Sequence, residues 1–127
     1  MSYYLAIDIG ASSGRHILGS IEDGKIKLEE IYRFENGISK IGDEYCWDIQ
    51  GLFNEIKKGI KKCKEIGKVP KTIGIDTWAV DFVLLDENDE MLGNVVAYRD
   101  DRTEGYMEKA FQVIPQDMLY LYTGIQF

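Results

Sequence analysis

The chain has 127 residues, of which 45% are hydrophobic, and this length and composition suit a single domain with one modest core. Its formal net charge of −7 and its pI near 4.7 oppose binding to nucleic acid or to an anionic membrane surface. No apolar segment approaches the roughly 18 residues that a membrane-spanning helix requires, so we expect neither nucleic acid nor a membrane as a partner.

The N-terminal part is predicted to form an antiparallel sheet. In residues 3–9 apolar side chains alternate with small or polar ones, and residues 16–21 and 25–34 have a similar strand-like composition. Asp23-Gly24, between the last two segments, is a strong signal for a tight hairpin turn. The three segments therefore predict a three-stranded antiparallel meander.

A long amphipathic helix is expected next. Loop-like residues around 36–37 and 42–43 lead to Asp48, a suitable N-cap, and apolar residues then recur every three or four positions up to about Gly67. Five lysines of this segment fall outside the apolar stripe and toward its C-terminal end. We interpret them as a solvated face that offsets the helix dipole rather than as a phosphate-binding patch.

The second half of the chain mixes short strands and helices. Residues 72–76, with the sequence TIGID, form an apolar run that ends in a carboxylate and predict a buried parallel strand. Residues 79–86 and 91–98 flank a polar stretch and predict another hairpin. A polar loop, YRDDRT, follows, and two short helices are predicted near residues 104–114 and 116–122, with Pro115 between them.

The turn between the first two strands, DIGASSGR, carries the clearest chemical signal. The dinucleotide fingerprint GxGxxG and the Walker pattern GxxxxGK[ST] both fail on spacing, and a strand rather than a helix follows the turn. Its backbone N–H groups, two serine hydroxyls and Arg15 could nevertheless hold anionic oxygens, while Asp8 could hold Mg²⁺ through water. The turn therefore suits Mg-ATP, and the alternative is an ordinary hairpin with a polar tip.

Five motifs in order, DIGASSGR, WDI, IGIDTWAVDFVLLD, YRDDRT and TGIQF, resemble the rhamnulokinase group of the FGGY sugar-kinase family over nearly the whole chain. The resemblance implies an α/β fold of the RNase H-like type, shared by the actin/hexokinase/Hsp70 superfamily. Members are several-fold longer and have two such domains around a cleft. Residues 1–127 would then be the N-terminal part of the first domain, and the second domain, with the adenosine pocket and the base aspartate, would be absent.

The implied reaction transfers the γ-phosphoryl group of ATP to the 1-hydroxyl of L-rhamnulose. No catalytic base is expected in this chain, and the chain alone is expected to be inactive. By resemblance the ATP-phosphate loop comprises Gly10, Ala11, Ser12, Ser13, Gly14 and Arg15, with Asp8 at the metal. The candidate sugar-side residues are Asp76, Thr77, Trp78, Ala79 and Asp81, together with Arg99 and Asp100. Ala79 stands where the family usually carries glycine.

The sugar-side motif has a purely structural interpretation as well. A sugar needs fixed acceptors and a flat or apolar surface, and DTWAVDF offers both. In that interpretation Trp78 and Phe82 are core residues and Asp76 caps a turn. We expect Phe82 to be a core residue and Asp81 to be functional, because a carboxylate inside an apolar run is costly unless it is paired. His16, next to the turn, is expected to face the outer surface of its strand or to pair locally.

Other functions fit the same sequence. One is a kinase for another sugar or polyol of the family, and another is a non-catalytic nucleotide-binding module of the actin type. Cys46 and Cys63 are not spaced as CxxC and accompany a single histidine, which indicates neither a zinc site nor a disulfide framework. With no leader-like N-terminus, we expect reduced thiols in a cytoplasmic protein.

Overall fold

A computed structural model describes residues 1–126. The meander is present, since its first and second strands are antiparallel, as are its second and third. Asp23 and Gly24 both have positive φ, 50° and 75°, as a tight two-residue hairpin turn requires. The strands are β1 (Tyr3–Ile9), β2 (Ser13–Glu22) and β3 (Lys25–Glu35). The predicted meander is confirmed, and β2 begins three residues earlier than expected.

A second hairpin occupies residues that were predicted to be loop. Strands β4 (Ile38–Ile41) and β5 (Glu44–Trp47) are antiparallel, and Gly42 between them has φ of 63°. The strands are short, and β5 buries Cys46 and Trp47 while β4 stays largely exposed. Neither ISKI nor EYCW alternates strictly between apolar and polar residues, so the sequence carries only a weak strand signal here.

Helix α1 (Ile49–Glu65) begins and ends as its sequence predicts. The Asp48 carboxylate caps it by accepting a hydrogen bond from the backbone N–H of Gly51 at 2.8 Å. Gly67, just beyond its end, has φ of 71°. The helix packs on the meander, its lysines are exposed, and the shared core consists of Leu5, Ile7, Ile9, Leu18, Phe34 and Cys63.

Strand β6 (Pro70–Thr77) pairs in parallel with β1, as predicted, but it is not buried. The sheet order is β3-β2-β1-β6, which leaves β6 at the edge. Its apolar side chains Ile73 and Ile75 are 48% and 57% exposed. The expected burial is wrong for the described residues because α1 covers the meander and does not extend over this strand.

The predicted hairpin over residues 79–98 forms only at its tip. An antiparallel bridge joins Leu85 to Met91, and the backbone N–H of Leu92 donates to the Leu84 carbonyl at 2.9 Å. The two long strands expected on either side of this tip do not pair with each other, and β7 (Val95–Val96) pairs with β5 instead. The side chain of Asp81 draws this segment toward β5 by binding the indole N–H of Trp47. That contact competes with a regular ladder inside the segment.

The chain continues with short helices. A 3₁₀ turn spans Asp101–Thr103, and α2 (Tyr106–Val113) and α3 (Gln116–Thr123) follow on either side of Pro115. Both predicted helices are confirmed, with α2 shorter than expected. No helix within residues 1–126 is long and apolar enough to cross a membrane.

Candidate functional site

The site is organised by the two parallel strands β1 and β6, which end at the same edge of the sheet. Their register pairs Asp8 with Asp76 and Ile9 with Thr77. The turn after β1 and the segment after β6 therefore leave the sheet side by side. Ligands of open α/β sheets commonly bind outside the carboxyl ends of parallel strands.

The β1–β2 turn, residues 10–13, is fixed by backbone bonds at both ends. The N–H of Gly10 donates to the carbonyl of Ser13 at 3.0 Å. Asn36, just after β3, donates its backbone N–H to the Ser12 carbonyl at 3.0 Å and its side-chain Nδ2 to the Gly10 carbonyl at 2.9 Å. Sequence reasoning missed Asn36, because an Asn-Gly pair by itself indicates only a turn.

Gly14, the second glycine of the motif, serves close packing. It is buried, and a Cβ at this position would lie 2.0 Å from Cζ of Phe34. No side chain fits there unless the aromatic ring moves. The glycine therefore lets β2 pass close to Phe34 directly after the turn.

Asp8 and Arg15 face each other across β1 and β2. Nη1 of Arg15 lies 3.1 Å from Oδ2 of Asp8, and its Nη2 donates to the Ser13 hydroxyl at 3.0 Å. The Arg15 side chain is 29% exposed and that of Asp8 is 46% exposed. Arg15 thus braces the turn and brings a positive charge to its base, while Asp8 keeps a solvent-accessible surface.

Residues 1–126 contain no cluster of three or more His, Cys, Asp or Glu side chains that could coordinate a metal ion on their own. Mg²⁺ needs no such cluster, since it usually keeps several waters and binds one or two carboxylates plus phosphate oxygens. The half-exposed Asp8, with Asp76 at the paired position on β6, fits that requirement.

An aromatic cluster lies beside the turn. The rings of Trp47 and Trp78 pack with centroids 4.4 Å apart. Oδ2 of Asp81 accepts hydrogen bonds from both indoles, at 2.6 Å from Trp47 Nε1 and 3.1 Å from Trp78 Nε1, and from the backbone N–H of Tyr98 at 3.2 Å. Ala11 of the turn packs against the same cluster. Asp81 therefore joins three segments that are far apart in sequence.

A pocket of about 170 Å³ opens between this cluster and α1. Ile9, Trp47, Trp78 and Asp81 contribute to its walls, which are mostly apolar. Trp47 was not among the predicted site residues, although the WDI motif contains it. Trp78 packs against both hydrophobic clusters, whereas Phe82 is 70% exposed, so the core interpretation of Phe82 is wrong for the described residues.

The remaining predicted sugar-side residues differ in their surroundings. Asp76, Thr77 and Ala79 are exposed, and the φ of Ala79 is not positive, so alanine fits the backbone here without strain. Arg99 lies over the Tyr98 ring, 5.4 Å from its centroid.

Asp100 is enclosed by the fold rather than open to a ligand. Its side chain accepts backbone hydrogen bonds from Tyr45 at 2.8 Å and from Arg102 at 2.9 Å. These bonds, that of Tyr45 above all, lower the pKa of Asp100. The carboxylate fastens the YRDDRT loop to β5.

His16 is fully buried, so the expectation that it faces the outer surface or pairs locally is wrong. Its Nε2 lies 3.1 Å from the Ile56 carbonyl on α1, and its ring packs edge-on against Tyr32. Burial lowers the pKa of His16. An enclosed, neutral imidazole stabilises the contact between sheet and helix.

Known proteins share both the sequence and the fold. Residues 3–127 match the FGGY family of carbohydrate kinases, N-terminal domain. The chain is 57% identical over 127 residues to a rhamnulokinase of Halalkalibacterium halodurans and 54% identical over 123 residues to one of Oceanobacillus iheyensis. These matches cover 100% and 97% of this chain but 27% and 26% of those proteins. The chain therefore spans about a quarter of the length of the curated relatives it matches.

The fold is shared with more distant kinases. The crystal structure of gluconate kinase from Lactobacillus acidophilus matches 98% of this chain and 25% of its own, with a TM-score of 0.78 at 17% identity. This similarity confirms the RNase H-like α/β fold that the family resemblance implied. On its sequence match over residues 3–127, the chain belongs to the FGGY family of carbohydrate kinases.

Proposed function

We propose that the protein carrying this chain transfers the γ-phosphoryl group of ATP to the 1-hydroxyl of L-rhamnulose, giving L-rhamnulose 1-phosphate for deoxysugar breakdown. The observation that carries the proposal is the parallel register of β1 and β6, which brings the β1–β2 turn beside the Trp47 and Trp78 cluster. The names of the relatives support the choice of sugar.

The chain is proposed to be the N-terminal part of the first of two domains. The other domain would supply the adenosine pocket and the aspartate that acts as base. Residues 1–127 prepared alone would then form no L-rhamnulose 1-phosphate, because half of the cleft is missing.

The β1–β2 turn is proposed to bind the ATP phosphates. Phosphoryl transfer requires chiefly positioning and neutralisation of charge. The backbone N–H groups of residues 11–13 and the hydroxyls of Ser12 and Ser13 supply hydrogen bonds, and Arg15 supplies a positive charge close by. Gly10 and Gly14 have no side chains, and their role in the proposal is to shape the turn.

Asp8 is proposed to hold Mg²⁺ through water. Asp76, which was predicted for the sugar side, is in register with Asp8 on β6 and is the carboxylate that adjoins both proposed ligands. When bound, the ion neutralises charge that develops on the phosphate oxygens. The Arg15 guanidinium lies beside Asp8, so its positive charge balances that of the carboxylate when no metal is bound.

The sugar is proposed to bind over the aromatic cluster. A partly apolar surface and backbone groups at the end of β6 are offered by Thr77, Trp78 and Ala79. Arg99 is exposed, and its Nε donates a hydrogen bond to the hydroxyl of Tyr98. Asp81 uses one oxygen to hold both indoles, so its role in the site is chiefly to orient them. Asp100 supports the loop that carries Arg99.

The experiment is a substrate panel on the full-length protein, with ATP turnover measured against L-rhamnulose, L-fuculose, D-xylulose and glycerol. We expect L-rhamnulose to give the highest kcat/KM and a 1-phosphate product by phosphorus NMR. Preference for another sugar would contradict the substrate, and ATP hydrolysis that no sugar stimulates would favour an actin-type module.

The compartment is proposed to be the cytoplasm. Both cysteines, Cys46 and Cys63, are free and buried, and burial raises the pKa of each thiol. Unreactive thiols of this kind suit a reducing environment.

A further inference from the structure

We propose that Asn36 is a positioning residue for the β1–β2 turn and that it sets the direction of the turn's peptide groups toward the ATP phosphates. The inference rests on the proposed function, because it gives the turn a nucleotide to bind. Asn36 itself makes no contact with the nucleotide in this proposal and acts only through the turn.

Asn36 uses its backbone N–H and both side-chain polar atoms. Its N–H and Nδ2 donate to the carbonyls of Ser12 and Gly10, at 3.0 and 2.9 Å. Its Oδ1 accepts the N–H of Gly37 at 3.0 Å. Since Asn36 directly follows the last residue of β3, the sheet itself fixes its position.

The two carbonyls held by Asn36 determine where two amides point. In a trans peptide the C=O of one residue and the N–H of the next are directed oppositely. Drawing the Gly10 carbonyl toward Asn36 therefore turns the Ala11 N–H away from Asn36. The bond to the Ser12 carbonyl does the same for the Ser13 N–H.

Glycine makes this restraint necessary. Gly10 has no side chain to limit rotation of its peptide groups, and a carbonyl that rotated toward the phosphates would repel their oxygens. The other supports of the turn act elsewhere. The Gly10 N–H bond to the Ser13 carbonyl holds the peptide group before Gly10, Arg15 holds the Ser13 hydroxyl, and Ala11 packs on the aromatic cluster. The side chain of Asn36 is therefore the restraint on the Gly10 carbonyl.

The test compares Asn36→Ala and Asn36→Asp with wild type in the full-length protein, and Glu35→Gln is the control. Glu35 is the exposed neighbour on β3. Both Asn36 variants keep the backbone bond to Ser12 and lose the donor to Gly10. Mg-ATP affinity is measured by calorimetric titration without sugar, together with KM for ATP, KM for the preferred sugar and Tm.

We expect Kd and KM for ATP to rise about five- to tenfold, the effect of losing about one hydrogen bond, with KM for the sugar as in Glu35→Gln. An unchanged ATP affinity, or equal rises in both KM values, would overturn the proposal. If Asn36→Ala does not fold, Asn36→Asp decides by the same criteria, because it keeps the acceptor for the Gly37 N–H. Its titration is compared with wild type at about 1 M salt, where a Debye length of about 3 Å screens the repulsion between the added carboxylate and the phosphates.

Failure of the proposed function gives a different result. A wild-type protein that binds Mg-ATP but does not phosphorylate L-rhamnulose would contradict the substrate, and the titration would still test Asn36. A wild-type protein that binds no nucleotide would overturn both proposals.

Discussion

Two carboxylates at the candidate site act mainly as internal acceptors. Asp81 receives two indole N–H groups and one backbone N–H, and the buried Asp100 receives two backbone N–H groups. A carboxylate within an apolar segment must be paired, which the sequence indicated for Asp81. Its partners lie in other segments, so only the folded chain identifies them.

Asp8 gives the first prediction at the residue scale. In the full-length protein Asp8→Asn removes the charge proposed to face the metal and leaves the sugar side intact. We expect kcat to fall about 10- to 100-fold, as for other partners that act on a metal through water, with KM for the sugar nearly unchanged. Steady-state kinetics at several Mg²⁺ concentrations measure this, with Asp43→Asn as an exposed control. An unchanged kcat would remove Asp8 from the metal role.

His16 predicts a pH dependence of stability. Burial lowers the pKa of His16 from the ordinary value of 6.5. Between pH 6.5 and the lowered pKa, His16 is therefore protonated in the unfolded chain but not in the folded chain. The free energy of unfolding should therefore be unaffected by His16 above about pH 6.5 and should fall as the pH drops toward the lowered pKa. Urea unfolding at pH 7.5 and 5.5 should show a larger loss for wild type than for His16→Gln. Equal losses would contradict the prediction.

At the scale of elements, the contact between α1 and the meander depends on Gly59. A Cβ at Gly59 would lie 2.3 Å from Cδ2 of His16. Glycine in a helix interior is otherwise unfavourable by roughly 0.5–1 kcal/mol relative to alanine. Its place in the middle of α1 is therefore explained by the close approach of the imidazole ring.

Gly59→Ala should destabilise the protein even though alanine favours helix. Overpacking typically costs about 1–3 kcal/mol, which exceeds the gain in helix propensity. Gly19→Ala on β2 is the control for packing, because a Cβ there would meet Leu28 Cδ2 at an ordinary 3.7 Å. Thermal unfolding should give a lower Tm for Gly59→Ala than for Gly19→Ala, and the reverse order would contradict the packing argument.

At the scale of the whole molecule, β6 presents an open edge and an apolar face. Ile73 and Ile75 point to the same side of the sheet as the buried Leu5 and Ile7, with which they are in register, yet about half of each is exposed. Exposed strand edges and contiguous apolar patches promote association.

We therefore expect residues 1–127, prepared alone, to self-associate. Sedimentation velocity should show an average mass that rises with concentration, and Ile75→Lys should reduce the rise. Tyr4→Lys is the control, because Tyr4 is also exposed but belongs to the opposite side of the sheet. A monomer at every concentration would contradict this prediction.

The sequence by itself determined the elements whose signals are local. Alternation marked β1 to β3, a three-to-four spacing and a capping Asp48 marked α1, and Pro115 separated α2 from α3. The DIGASSGR motif likewise indicated the turn between β1 and β2, and the binding of phosphate by this turn stays a prediction. Each of these signals lies within about one element, where periodicity and turn chemistry act.

Only the tertiary structure decided how the site is assembled. Asn36 reaches the turn from 26 residues away, and Trp47 meets Asp81 across 34 residues. β7 pairs with β5 rather than with residues 79–86, and β6 lies at an exposed edge of the sheet. Contacts of this length depend on the way the sheet and α1 bring separate segments together, and no local pattern of residues encodes them.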